Sequence, residues 1–296
     1  MSWIDLHMHS ICSNDGDYTP EEMVDKCQEA GIRIMAIADH NSCRAVKGAV
    51  TRAEEKGMVC IPAIELDCCH GDVDLHVLGY GIDASDGRYA ELEEGLAKQE
   101  QATSVPRIRM MRERGLVIEE EKAYALAHYG YVTGEVIAEV ALADSRNDGH
   151  PMLKEYRPGG SRSDNPYVNF YWDWCAKGKE TYIPIHFISL QEAIDLIRST
   201  GGVPVLAHPG NNVKEKDELL DEILRCGIQG IEVYSSYHDS AKTGYYRRKA
   251  DEYGLAVTCG SDYHGKTKPA IHLGAMDCAG EEEMIAEGLR KLGVKL

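Results

Sequence analysis

The feature that most narrows the fold is a repeated alternation of short apolar runs with capped amphipathic stretches. Residues 4–6 read as a strand, after which TPEE at 19–22 opens a helix. Thr19 is the expected N-cap, Pro20 takes the first helical position and Glu22 completes a capping box. Met23, Val24, Cys27 and Ala30 form the apolar face, and Gly31 ends the helix. A strand at 32–38, a helix at 44–56 stopped by Gly57, and strands at 58–64 and 73–81 follow. The pattern returns later as helix 189–202, strand 203–207, helix 215–226, strand 230–234, helix 241–253 and strand 255–260. Strands alternating with helices predict a parallel α/β sheet, and this many units predict a βα barrel.

Between the two halves the pattern changes. Residues 91–182 read as mainly helical, with a basic stretch, RIRMMRER, at 107–114 and a turn-rich piece at 144–166. The expected organisation is therefore a barrel built from 1–90 and 183–296, interrupted by a helical insertion or cap at 91–182. A long loop inside such an insertion is a common place for function.

The formal net charge of −17 excludes a general nucleic-acid coat and an anionic membrane surface, both of which need a positive footprint. It leaves room for a local anion pocket whose charge is supplied by metal ions. None of the ten cysteines is spaced C-x-x-C, and no apolar run approaches the ~18 residues of a membrane helix. With no basic-then-apolar leader at the N-terminus, the expectation is a cytoplasmic protein with reduced thiols and no obligate protein partner.

The chemistry-bearing residues follow the strands. DLHMHS places His7 and His9 at i and i+2, on one face of a strand, where two imidazoles converge. Strand 32–38 runs into Asp39-His40, strand 58–64 into Glu65, and strand 203–207 into His208. Strand 255–260 runs into GSDYHG, with Asp262 and His264 again at i and i+2, and strand 73–81 carries His76. Asp15 lies in the turn after the first strand. In a parallel barrel the carboxyl ends of the strands share one rim. Mixed imidazole and carboxylate ligands suit manganese, zinc or iron better than calcium. Nine ligands are too many for one tetrahedral ion and suit two or three divalent ions sharing a bridging carboxylate.

DLHMHS, ADHNS, IELD, HVLGYG, LAHPG and GSDYHG, in that order, closely resemble the successive motifs of the PHP (polymerase and histidinol phosphatase) family. The resemblance is to the branch of stand-alone phosphoesterases with a helical insertion. This branch includes nucleoside bisphosphate phosphatases, oligonucleotide-trimming enzymes and a cyclic phosphate hydrolase. The resemblance implies a distorted seven-stranded (βα)7 TIM-like barrel. It also implies one ion on His7, His9 and Asp262, a second on Asp15, His40 and His264, and a third on His76 and His208, with Glu65 bridging. SNDGDYTP is one residue longer than in many relatives, so Asp17 is the alternative to Asp15.

The function this implies is hydrolysis of small phosphorylated metabolites, phosphomonoester or cyclic phosphate, by a metal-bridging hydroxide. Glu65, Asp262 and His208 are expected to carry catalysis; the proton donor to the leaving group stays open between a carboxylate and a histidine. Nucleoside 3′,5′-bisphosphates or short oligonucleotides are the alternative substrates, although YVTGE lacks the arginine of the G-R pair found in nucleotide-acting relatives. A non-catalytic metal-binding regulatory protein is the less favoured reading, because every motif position is filled. Expected substrate contacts are Arg107, Arg109, Arg157, His238, Lys266 and Lys268. His70, His128, His150, His186 and His272 receive no role.

Overall fold

In the computed structural model of the chain, residues 1–127, 129–214 and 216–296 are described. His128 and the expected helix start at Glu215 lie outside the described residues. The first part runs β1 (Ile4–Met8), α1 (Pro20–Glu29), β2 (Ile34–Ile37), α2 (Arg44–Glu55), β3 (Val59–Cys60), β4 (Ala63–His70) and β5 (Val73–Tyr80). The middle contains α3 (Gly87–Glu113), α4 (Glu120–Leu126), α5 (Gly134–Ala143) and α6 (Pro166–Phe170), the last continued by a π-helical turn at Tyr171–Cys175. The last part runs β6 (Ile188–Ser189), α7 (Leu190–Ser199), β7 (Val203–Leu206), α8 (Pro209–Asn212), α9 (Asp217–Arg225), β8 (Gly230–Ser235), α10 (Ser240–Tyr253), β9 (Ala256–Gly260) and α11 (Glu282–Lys291).

Local chemistry explains the boundaries of α1. The Thr19 hydroxyl accepts from the Glu22 amide at 3.2 Å while the Glu22 carboxylate accepts from the Thr19 amide at 2.8 Å. Met23, Val24 and Cys27 are buried against Met8, Met35 and Ala49 beneath β1 and β2. Each fully buried side chain of this size contributes about 1.5–3 kcal/mol, and the cap about 1 kcal/mol more.

The expected parallel barrel requires correction. The strands form two sheets, β1-β2-β3 and β6-β4-β5-β7-β8-β9, and these do not close into a seven-stranded barrel. β5 runs antiparallel to both β4 and β7. The reason is local: only Gly71 and Asp72 separate β4 from β5, enough for a hairpin and too short for a parallel crossover. The sheets approach each other through isolated bridges, Met8 with Tyr263 and His40 with Glu65. Backbone hydrogen bonds from His9 to Tyr263 and from Asp262 to His7 join the ends of β1 and β9.

The main apolar core spans both chain halves, from Ile4 and Leu6 through Ile64 and Val77 to Val205, Ile231 and Val257. A separate cluster made by Ile108, Met111, Val132, Ile137, Leu153 and Phe170 belongs to the middle of the chain alone. No helix among the described residues is long and apolar enough to cross a membrane.

Candidate metal centre

His7 and His9 project together from the end of β1, as alternation along a strand requires. Both are fully buried. Their Nε2 atoms lie 3.2 Å apart. Glu65 Oε2 stands 3.1 Å from His7 Nε2 and 3.2 Å from His9 Nε2, and Asp262 Oδ1 stands 3.0 Å from His9 Nε2. His264 Nε2 meets Asp15 Oδ2 at 3.0 Å. His208 Nε2 and His76 Nδ1 both meet Glu65 Oε1 at 3.0 Å.

Five of the six imidazoles are held from behind; His76 instead turns its Nδ1 inward to Glu65. Nδ1 of His7 is bonded to Glu232 at 3.0 Å, that of His40 to Asp67 at 3.0 Å, and that of His208 to the Asn212 side-chain oxygen at 2.9 Å. Nδ1 of His264 is bonded to the Asp262 carbonyl at 2.7 Å, and that of His9 to Ser13 at 3.3 Å. With Nδ1–H donated outward, Nε2 keeps its lone pair and points inward, the arrangement of metal-bound histidines.

Converging lone pairs and carboxylate oxygens repel unless a cation lies among them. Glu65 Oε2 and His264 Nε2 are buried and have no hydrogen-bond partner. Four sets, each with ligand atoms within 4.8 Å of one another, fit divalent ions: His9-Asp15-His40-His264, His7-His9-Glu65-Asp262, Glu65-His76-His208 and His40-Asp67-His76.

The electrostatics agree. Burial pushes the Glu65 carboxyl up, but His7, His40 and His76 outweigh it and hold it well below the usual range. Asp262 is held low in the same way, with Lys268, His264 and His7 overcoming burial. Burial pushes the His7 imidazole down, yet Glu65, Glu232 and Asp262 together raise it; a field that draws a proton there draws a metal cation too. His264 is pushed down to about 4 by burial despite Asp15, which keeps its ring neutral.

Backbone and packing serve this geometry. Asp262 and Asn41 adopt left-handed φ values of 55° and 54°, and His208 one of 21°. Such conformations cost roughly 1–3 kcal/mol each and cluster at functional sites. Gly260 is required for close approach: a Cβ there would sit 2.2 Å from the His7 Cβ and 2.4 Å from Glu232 Oε1.

All nine expected ligands meet here, and Asp15 rather than Asp17 faces His40 and His264. Asp17 instead lies against Gly265 and the Lys266 amide. Two carboxylates escaped the sequence reading. Asp67 is two residues from Glu65, pairs across the hairpin with His76, and exchanges hydrogen bonds with Asn41. The i, i+2 rule that singles out His7 and His9 would have found it. Glu232, fully buried in β8, joins His7 Nδ1 to the His208 amide, which donates to it at 2.7 Å. An acid amid the apolar residues of GIEVY was its signal.

The expected substrate contacts scatter. Above the ligands lies a cavity of about 560 Å³, walled on its far side by the middle of the chain. Lys268 lines it, donating to Asp262 at 2.6 Å and to Tyr237 at 2.8 Å. Arg107 lines it too, but donates to the Val132 carbonyl at 2.6 Å and pairs with Glu100 at 3.3 Å. Arg109 is exposed beside Glu113, and Arg157 pairs with Asp148 at 3.1 Å; neither reaches the cavity. Lys266 pairs with Glu139 at 2.9 Å beside a small adjoining pocket. His238 is absorbed locally, bonded to the Val233 carbonyl and the Gly210 amide and stacked on Tyr246. Glu135, also on the cavity wall, is pushed up to about 7 by burial and by the nearby Asp15 carboxylate.

The fold and this rim define an α/β protein with a buried histidine–carboxylate cluster that could hold metal ions. A family model described as the PHP domain matches residues 5–236, and the chain belongs to that family. It is 25% identical over 272 residues to phosphoribosyl 1,2-cyclic phosphate 1,2-diphosphodiesterase of Eggerthella lenta, covering 91% of this chain and 97% of that one. It is 27% identical over 275 residues to 3′,5′-nucleoside bisphosphate phosphatase of Chromobacterium violaceum, covering 89% and 88%. Among solved structures it resembles a protein of Bifidobacterium adolescentis described as a metal-dependent phosphoesterase, with a TM-score of 0.77, 25% identity and coverage of 99% and 97%.

Proposed function

We propose that this protein is a phosphoric ester hydrolase acting on small phosphorylated metabolites, with two or three manganese, zinc or iron ions held by His7, His9, Asp15, His40, Glu65, His76, His208, Asp262 and His264. The observation that carries the reading is the inward convergence of imidazole Nε2 atoms upon Glu65 and Asp262. When bound, such ions activate water near neutral pH and neutralise charge on phosphoryl oxygens.

The chain's own residues then have distinct tasks. Glu65 divides its two oxygens, Oε2 towards His7 and His9 and Oε1 towards His76 and His208, which suits a bridge. Asp262 does likewise: Oδ1 faces the histidines, while Oδ2 is held by Lys268 and Tyr237. Lys268 sets a fixed positive charge on the cavity wall beside the reacting phosphoryl group. Residues 91–182 act as a cap over this floor, and the two sheets with their isolated bridges make a distorted, incompletely paired barrel beneath it.

The test is phosphate release by manganese-loaded protein from phosphomonoesters, cyclic phosphates and nucleotides. Release that needs metal and is lost on chelation is expected; release indifferent to metal overturns the reading. One observation favours nucleoside 3′,5′-bisphosphates or oligonucleotides as a second reading. Lys179, Lys214 and Lys216 line the mouth of the cavity and have no ion pair among the described residues. A preference for bisphosphorylated nucleosides over simple monoesters in the same panel would establish it.

A further inference from the structure

The inner wall of the cavity differs in charge from its mouth. Glu135 stands in the first turn of α5, whose entry is capped by Thr133 Oγ1 accepting from the Val136 amide at 3.3 Å. The position of that turn is set by contact. A Cβ on Gly134 would lie 2.8 Å from Cys175 Sγ and 3.1 Å from the Tyr171 ring, so α5 sits hard against the π-helical turn. Glu135 borders both the large cavity and the small pocket shared with Asn14, Asp15 and Gly16, between the ligand cluster and the cap.

The neighbouring cations are already committed, Arg107 to Glu100 and the Val132 carbonyl, and Lys266 to Glu139. Among the described residues Glu135 has no ion pair. Glu100 and Glu135 thus set two carboxyl groups beside one guanidinium on the cavity wall. A second phosphate placed there would meet a carboxyl group with no cation of its own, whereas a hydrogen-bond donor would meet an acceptor whose other bonds are local, to Thr133 and its own amide.

We propose that Glu135 selects the leaving group of the ester, accepting a hydrogen bond from a hydroxyl or ammonium group on it and disfavouring a second phosphate at that wall. This rests on the phosphoesterase reading above and narrows it to polyol, sugar or amino-alcohol phosphates. Glu135 acts on recognition; the ligand cluster, which it does not join, carries the chemistry. Specificity of this kind comes as much from the repulsive element as from the attractive one.

The experiment measures kcat/KM of manganese-loaded wild type, Glu135→Gln and Glu135→Arg on phenyl phosphate, glycerol 3-phosphate, phosphoethanolamine and adenosine 3′,5′-bisphosphate. Phenyl phosphate, which offers the wall no donor, should stay within about 2-fold of wild type for Glu135→Gln. Loss of a charge-assisted contact should lower phosphoethanolamine turnover by about 10-fold or more in that variant if an ammonium is read, with glycerol 3-phosphate falling only ~2–3-fold. If a hydroxyl is read, glycerol 3-phosphate takes the larger loss in Glu135→Arg, which removes the acceptor altogether. Glu135→Arg should raise bisphosphate turnover by about 10-fold.

Equal changes on all four esters, or no gain for the bisphosphate in Glu135→Arg, would overturn the proposal. Thermal melts monitored by circular dichroism identify a variant that misfolds, in which case Glu135→Gln, the isosteric change, decides. Should wild type release phosphate from none of the esters, the phosphoesterase reading is what fails. Calorimetric binding of the same compounds then still tests Glu135, and affinities unaltered by either variant overturn its role.

Discussion

The floor of the cavity and the middle segment that walls it use charged side chains to opposite ends. On the floor, Glu65 and Asp262 come within 3.4 Å of imidazole nitrogens, and those imidazoles are anchored from behind by Glu232, Asp67, Asn212 and Ser13. In the middle segment, Arg107 is spent on Glu100, Arg162 on Asp173 and Arg157 on Asp148. The floor gathers polar groups whose needs are left open towards one another, which is costly unless something binds there. The middle of the chain pairs most of its arginines with nearby carboxylates, around an apolar cluster of its own. Charge in a cavity wall is therefore not by itself a contact; what matters is whether a neighbour has already claimed it.

Metal removal should break the contrast most completely. A chelator should take phosphate release to background, and manganese should restore it, as followed by phosphate assay with elemental analysis of the protein. Glu65→Gln, which keeps size but removes the charge shared by several imidazoles, should then cost about 10–100-fold or more in activity together with lost metal. A fully metallated, fully active Glu65→Gln protein would place the bridge elsewhere.

Glu232→Gln touches only what lies behind His7 and His208. The expected loss is about 10-fold in metal affinity, recovered at saturating manganese, as read by titrating activity against metal. A loss that excess metal does not recover would give Glu232 a direct part in the reaction instead. Arg107→Met moves to the middle segment: with Glu100 and the Val132 carbonyl left without their partner, stability should fall by about 1–3 kcal/mol in denaturant titration. Its activity on phenyl phosphate should hold. Arg109→Ala is the smallest change, within about 0.5 kcal/mol of wild type and without effect on any ester. A selective loss on the bisphosphate would return this residue to the substrate.

The legibility of the two regions differs for the same reason that their chemistry does. On a strand the side-chain period is two, so His7 and His9, or Asp262 and His264 beyond β9, can be assigned to one face without knowing the rest of the fold. The ends of successive strands then gather at one rim, and motif order does the rest. Asp67 obeys the same rule beside Glu65, whereas Glu232 lies in a strand that otherwise reads as apolar. The middle segment offered no such rule. RIRMMRER looks uniformly basic, yet the fold buries Arg107 and exposes Arg109, two residues away on the same helix. Helical rotation turns such neighbours roughly 200° apart.

By itself, the sequence determined the α/β alternation, the capped starts of α1 and α7, and the nine candidate ligands with their order along the chain. These follow from local periodicity and hydrogen-bond chemistry within a few residues. The antiparallel run of β5 follows from its two-residue link to β4, whereas only the tertiary structure decided that the sheets stop short of closing. It alone decided that Asp15 rather than Asp17 turns inward, that Asp67 and Glu232 hold the imidazoles, and that Glu135 meets the cavity with no ion-pair partner among the described residues. Such outcomes depend on which groups the fold brings together, and pairing between segments as far apart as His7 and Glu232 leaves no mark on either one read alone.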